Sequence, residues 1–180
     1  MATDYYSQPR AEMLEFVPEG AASVLDVGCG DGAFGASLKA RGVASVWGVE
    51  LNPKAARAAT ARLDRVFEGG IEATLTQLPD GRFDCITMND VLEHLVDPYA
   101  LLAAIKAKLA PGGVLVASIP NVRYLYNLWN LVVRRQWRYE DAGVLDRTHL
   151  RFFTKSSIEE MFDEQGFELV ALEPIHELKS

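Results

Sequence analysis

Cysteine is scarce. Cys29 and Cys85 are the only two in 180 residues, and both lie in or beside apolar runs. That excludes a disulfide framework and points to reduced thiols in a cytoplasmic setting. No uncharged apolar run approaches the roughly 18 residues that read as a membrane span, so stable membrane insertion is not expected. The opening MATDYYSQPR lacks the basic and apolar regions of a secretory leader. Basic charge is also short: 18 Lys and Arg stand against 25 Asp and Glu, a net charge of −7. A general nucleic-acid binder neutralises phosphates with a basic face, so nucleic acid is not an expected partner. There is no internal repeat or low-complexity segment, and no Ser-His-Asp or P-loop spacing. Three histidines and two cysteines form no metal-ligand cluster along the sequence.

What the chain does have is core-forming material, 49% hydrophobic with 24% charged, enough for one domain over 1–180. Its elements alternate. "SVLDVG" reads as a buried strand ended by Gly28, followed by a helix over Ala33 to Arg41 and a stop at Gly42. Ser45 to Glu50 is the next strand. Asn52 and Pro53 cap and open a helix through Leu63. "RVFEGGI" is a short strand and Phe83 to Asn89 a stronger one. Asp97 and Pro98 open another helix, with Leu101, Leu102, Ile105 and Leu109 on one face. Pro111 to Gly113 turns the chain into the strand "VLVASIP". Thr154 or Ser156 caps a helix ending at Gly166, and "FELVALEPI" reads as a final strand. Such alternation implies a mostly parallel α/β sheet with helices on both faces, and ligands bound at the carboxyl ends of its strands. The long aromatic segment over 121–153 interrupts the rhythm, and an insertion of that length is often functional.

The strand end carries "VLDVGCGDGAFG", Val24 to Gly35. Gly30, Gly32 and Gly35 spell G-x-G-x-x-G, and Glu50 follows 18 residues after Gly32. That is a dinucleotide fingerprint with an acid for ribose hydroxyls. Asp26 and Asp31 argue against NAD, because a pyrophosphate over this turn would meet two carboxylates. A ligand with a ribose, an amino group and a sulfonium would not.

Together, "VLDVGCGDGAFG", "VWGVELNP", "FDCITMNDVLEHLVDP" and "LAPGGVLVASIPN" resemble the ordered motifs of class I S-adenosylmethionine-dependent methyltransferases, with a Rossmann-like fold. The resemblance runs from about Val24 to Ile175, and "VLDRTHLRFFT" resembles a subgroup of bacterial small-molecule methyltransferases. It implies that Asp26 and Asp31 lie at the cofactor and that the backbones of Gly28 and Gly30 admit it closely. It further implies that Glu50 takes both ribose hydroxyls, Leu51 packs on adenine, and Asn89 faces the methionine moiety through its backbone. Two departures stand out. Gly70 occupies the place of an acid that binds the adenine amino group, leaving a backbone N–H of Ile71 for that contact. The last antiparallel strand of the family sheet is also expected to be missing. The expectation is therefore either a shortened chain or an edge covered by a partner, a homodimer included.

Several residues carry competing readings. Asp90-x-x-Glu93 has capping-box spacing, so Glu93 is expected to cap a helix. His94 and His149 are candidate general bases, a role that suits a side chain whose unperturbed pKa lies near neutrality, or packed histidines. Leu125, Leu128, Trp129, Leu131 and Val132 have helical spacing and read as core packing, a substrate lid, or a membrane-surface helix. Residues 121–155 hold seven Lys or Arg and three Asp or Glu, a local +4. Arg147 and Arg151 there suit either local ion pairs or an anionic small-molecule substrate, with Trp129 alongside. The expected reaction is transfer of a methyl group from S-adenosylmethionine, leaving S-adenosylhomocysteine, to an oxygen, nitrogen or carbon nucleophile. The alternatives are an NAD(P)-dependent oxidoreductase, a non-catalytic S-adenosylmethionine-binding module and a protein methyltransferase.

Overall fold

The computed structural model describes residues 10–175. Five strands make one sheet: β1 (Ser23–Val27), β2 (Ser45–Glu50), β3 (Arg65–Glu68), β4 (Phe83–Asn89) and β5 (Leu109–Ser118). Their order is β3-β2-β1-β4-β5 and every pairing is parallel. The helices are α1 (Ala33–Ala40), α2 (Pro53–Ala59), α3 (Ile71–Thr74), α4 (Pro98–Ile105), α5 (Leu125–Val132) and α6 (Lys155–Glu164). A 3₁₀ helix, Ala11–Phe16, precedes β1.

Side chains alternate across the sheet, as the two-residue period of a strand requires. On one face Val24, Val46, Cys85 and Val116 pack with Phe34 and Leu38 of α1. On the other, Leu25, Val27, Ile86 and Met88 meet Leu101 and Leu102 of α4 and Ile158, Met161 and Phe162 of α6. The caps follow the local chemistry. Asn52 Oδ1 accepts from Lys54 and Ala55, and Asp97 Oδ1 accepts from Ala100. Thr154 forms a capping box with Ser157.

Several boundaries depart from the sequence expectations. The second helix stops at Ala59, and Leu63 lies beyond it with its N–H on the Ala59 carbonyl. Leu109 opens β5 rather than extending the apolar face of α4. Pro111 to Gly113 lie inside β5 as a bulge, because Leu109 pairs with Phe83 while Val114 pairs with Cys85. A Cβ at Gly113 would stand 2.8 Å from the Phe83 carbonyl oxygen, so the bulge needs glycine. "FELVALEPI" is not a strand. Phe167 and Leu172 reach the core while Leu169 and Val170 stay exposed, and no strand among the described residues offers this run a ladder. Nor is any antiparallel strand present among them.

Candidate active site

Parallel pairing brings the carboxyl ends of all five strands to one edge, and the glycine turn, the end of β2 and the loop after β4 gather there. Gly28 and Gly30 follow β1 at φ 74° and 55°, left-handed conformations open to glycine at little cost. A Cβ on Gly28 would fall 2.9 Å from Val91 Cγ2. Gly35 serves packing instead, since a Cβ there would collide with Leu63 of the α2–β3 connection at 2.5 Å.

Glu50 ties the turn to β2. Its Oε2 accepts from Gly30 N at 2.8 Å and its Oε1 from Asn52 N at 2.7 Å, while the residue stays 5% exposed. Each carboxylate oxygen has a further lone pair for a hydroxyl donor. Asp26 is deeper, 2% exposed, on β1 opposite Thr87 of β4. Its Oδ1 accepts from Thr87 Oγ1 at 2.8 Å, but Oδ2 has no partner. Burial first, and the charge of Glu50 as well, push its carboxyl up to about 7 against the lowering effect of the Thr87 bond. An orphaned carboxylate oxygen at this depth suits a cationic donor, the amino group of a methionine moiety among them. Asn89 Oδ1, at the end of β4, is a second buried oxygen without a partner. On the other flank Leu51 is 74% exposed, and its Cδ1 lies 4.0 Å from where a Gly70 Cβ would be. Gly70 and buried Ile71 begin α3 there. Asp31 is engaged elsewhere: its carboxylate accepts from Ala33 N at 3.1 Å and pairs with Arg62 at 2.7 Å. The thiols of Cys29 and Cys85 are buried, and burial pushes both pKa values up, so they are poor nucleophiles.

The loop after β4 corrects two expectations. Glu93 does not cap a helix. Asp90 takes φ 52°, Leu92–His94 is a 3₁₀ turn, and the Asp90 carboxylate bonds Ser118 Oγ and Arg10. Glu93 points inward, 1% exposed, and neither carboxylate oxygen has a hydrogen-bond partner. Burial, then the charge of Asp90, push it up to about 8. The absence of a metal-ligand cluster, read from the sequence, also fails. Glu93, His94 and His149 offer ligand atoms that all lie within 4.8 Å of one another. His149 reaches the loop because Leu150 N and Arg151 N both donate to the Glu93 carbonyl, at 2.8 and 3.0 Å. The rings of His94 and His149 meet edge to face at 4.7 Å. Burial, then His149, lower the pKa of His94. The sequence signal for this cluster was present in "DVLEH" and "RTHL", but only the fold joins the two.

Residues 121–153 leave and return through a bridge between Asn121 and Phe153. Within them α5 buries Asn127, while Leu125, Trp129, Leu131 and Val132 are exposed. The core-packing reading is therefore corrected for these four side chains, while Leu128 is half-buried. Arg147 Nε donates to Asp141 at 2.8 Å, a local ion pair. Arg151 donates to the Val96 carbonyl, which leaves its charge uncancelled.

A family model described as a methyltransferase domain matches residues 1–172. Among curated relatives, a ubiquinone biosynthesis O-methyltransferase of Psychrobacter arcticus is 33% identical over 153 residues, 80% of this chain and 58% of its own length. A trans-aconitate 2-methyltransferase of Methylobacterium radiotolerans is 38% identical over 120 residues, 66% of this chain and 46% of its own. The chain thus spans about half the length of the curated relatives it matches. The crystal structure of a SAM-dependent methyltransferase from Archaeoglobus fulgidus superposes with a TM-score of 0.70 at 25% identity, covering 88% of this chain and 67% of that one.

Proposed function

The chain belongs to the methyltransferase-domain family, and on that premise we propose that it transfers a methyl group from S-adenosylmethionine to an oxygen of a small-molecule acceptor. The observation that carries the reading is Asp26. Its buried, unpartnered Oδ2 beside the Gly28–Gly30 turn fits a cationic amino group and repels a pyrophosphate. Asp26 would hold that amino group, Glu50 the ribose hydroxyls, Leu51 and Ile71 the adenine across Gly70, and Asn89 the methionine moiety. Bound there, the cofactor supplies an activated methyl group.

The protein's own contribution is to hold the acceptor oxygen about 3 Å from that methyl, in line with the bond to be broken, and to manage the acceptor's proton. His94 and His149 stand at the same sheet edge and are the groups for the second task. Their Nδ1 atoms face the carbonyls of Thr148 and Val144 at 3.2 and 3.0 Å. Nδ1 therefore carries hydrogen, and in the neutral ring Nε2 keeps its lone pair. Residues 121–153 form the substrate side, with Trp129 as an apolar wall and Arg151, more than Arg147, as the charge for an anionic acceptor. The buried thiols accord with a cytoplasmic setting. No helix among the described residues is long and apolar enough to cross a membrane.

Calorimetric titration with S-adenosylhomocysteine, with NADH in parallel, tests the reading. Micromolar binding of the first alone is expected. Binding of NADH alone would overturn it. Tight cofactor binding with methyl transfer only to a nitrogen or carbon acceptor would overturn the oxygen assignment, and transfer to none of the three would leave a non-catalytic binding module.

A further inference from the structure

We propose that Glu93, His94 and His149 bind one divalent cation of the zinc, cobalt or manganese type. The argument starts from a mismatch of electron pairs. The Glu93 carboxylate is 1% exposed and accepts no hydrogen bond at either oxygen. The nearest ring nitrogen, His149 Nε2, lies 4.0 Å from Oε1. The other nitrogen of that ring is taken by the Val144 carbonyl, so a neutral His149 presents a lone pair to the carboxylate. His94 is fixed in the same way by the Thr148 carbonyl. Ligand atoms of all three residues converge within 4.8 Å of one another. A carboxylate charge without a partner at this depth is costly, so in the empty site the carboxyl holds a proton. A cation among the three takes that proton's place.

The surroundings match those of a ligand set. A metal-binding histidine commonly donates its second ring N–H to a backbone carbonyl, which fixes tautomer and ring orientation. Both histidines do so here. Zinc takes nitrogen and carboxylate oxygen at about 2.0–2.2 Å, which puts neighbouring donor atoms a little over 3 Å apart. The ligand atoms now stand up to 4.8 Å apart, so binding an ion requires them to draw together by about 1–1.5 Å. Two imidazoles and one carboxylate favour borderline transition metals over magnesium or calcium, which prefer all-oxygen shells. Three protein ligands leave positions open for water or an acceptor oxygen.

The role of the cation rests on the methyltransferase reading above; its binding does not. With both Nε2 lone pairs on the ion, the metal replaces the free rings in managing the acceptor's proton: a hydroxyl bound to it becomes more acidic. It releases its proton to solvent, and its oxygen forms a bond to the methyl carbon. The carbon–sulfur bond breaks with its electron pair going to sulfur, which turns the sulfonium into a neutral thioether.

The test is a titration of the full, untagged, chelator-treated chain with Co²⁺ alone, followed by visible absorption, with metal content measured after gel filtration. One equivalent with ligand-field bands, displaced by Zn²⁺, is expected. Glu93→Gln and His149→Ala should each weaken Co²⁺ binding at least tenfold while S-adenosylhomocysteine affinity stays within about twofold. No Co²⁺ bands, or binding unchanged in both variants, would overturn the site. Should His149→Ala not fold, the more conservative Glu93→Gln carries the same decision. Cofactor binding without Co²⁺ binding removes the metal site and spares the methyltransferase reading; Co²⁺ binding without cofactor binding does the reverse.

Discussion

Asp26 should make the cofactor-free chain less stable as pH rises from about 4 to about 7, and replacing it with Asn should remove that dependence. The folded-state carboxyl is pushed from the usual 3.8 up to about 7, chiefly by burial. The fold therefore retains a proton that the unfolded chain has already released. Between about pH 4 and pH 7 the native state binds more protons, so the free energy of unfolding falls with rising pH. The penalty is absent below the unfolded value and complete above the folded one. At about 1.4 kcal/mol per pH unit, the interval from 3.8 to about 7 is worth about 4 kcal/mol. Asp26→Asn keeps the shape and the acceptor for Thr87 Oγ1, but has nothing to ionise. Urea unfolding of both proteins without cofactor, at about pH 5 and pH 8, isolates the effect, because titrating groups not coupled to Asp26 cancel in the difference. The variant should gain about 3 kcal/mol on wild type between the two pH values. A difference that stays constant would refute the reasoning. The amino group proposed to sit at Oδ2 would pull the same carboxyl back toward ionisation. Wild-type affinity for S-adenosylhomocysteine should therefore climb with pH up to about 7, and that of Asp26→Asn should not.

Glu50→Gln places an amide N–H₂ against one of the two backbone N–H groups now held by the carboxylate, Gly30 or Asn52. Calorimetry should show S-adenosylhomocysteine binding weakened by roughly 1.5–3 kcal/mol; unchanged affinity would remove Glu50 from the ribose site. Gly28→Ala forces a left-handed φ of 74° on a residue with a Cβ and presses it against Val91 at 2.9 Å. Urea unfolding should register a loss of about 1–3 kcal/mol, of which a second change, Val91→Ala, restores only the steric part. Thr154→Ala deletes the bond from Ser157 N at 3.2 Å that opens α6. A cost of about 1 kcal/mol, or about 2–4 °C in Tm, is expected in a thermal melt; an unshifted melt would mean that tertiary packing of Ile158, Met161 and Phe162 alone holds the helix.

Wherever a few neighbouring residues decide the outcome, the chain states its structure openly. Asn52-Pro53 and Asp97-Pro98 start helices because a side-chain acceptor and a ring-fixed φ meet the needs of the first turn. The parallel sense of the sheet and its two helical layers follow from strand–helix alternation and the handedness of crossovers. Asp26, the glycine turn and Glu50 could be placed at one sheet edge because each sits at the carboxyl end of a parallel strand.

The misreadings have a common physical origin. Asp90-x-x-Glu93 has the spacing of a cap, but a cap needs a helix after it. The left-handed turn at Asp90 and its bonds to Ser118 and Arg10, both remote in sequence, remove that possibility. Glu93 is then turned inward, and its carbonyl receives Leu150 and Arg151 from the far end of the 121–153 segment. No local pattern encodes that docking, so the meeting of Glu93 with His94 and His149 could not be read from either stretch alone. α5 and the run after Phe167 fail in the opposite sense. Their patterns promise apolar faces and alternating strands, yet a pattern fixes only which side would be buried, not whether anything covers it. Trp129 and Val170 accordingly stay exposed, at 53% and 84%. The cofactor side of the sheet is thus built from short-range rules, while the acceptor side depends on contacts between distant segments. For that reason the proposed donor can be argued from Asp26 and Glu50, whereas the identity of the acceptor depends on what fits beside His94, His149 and α5.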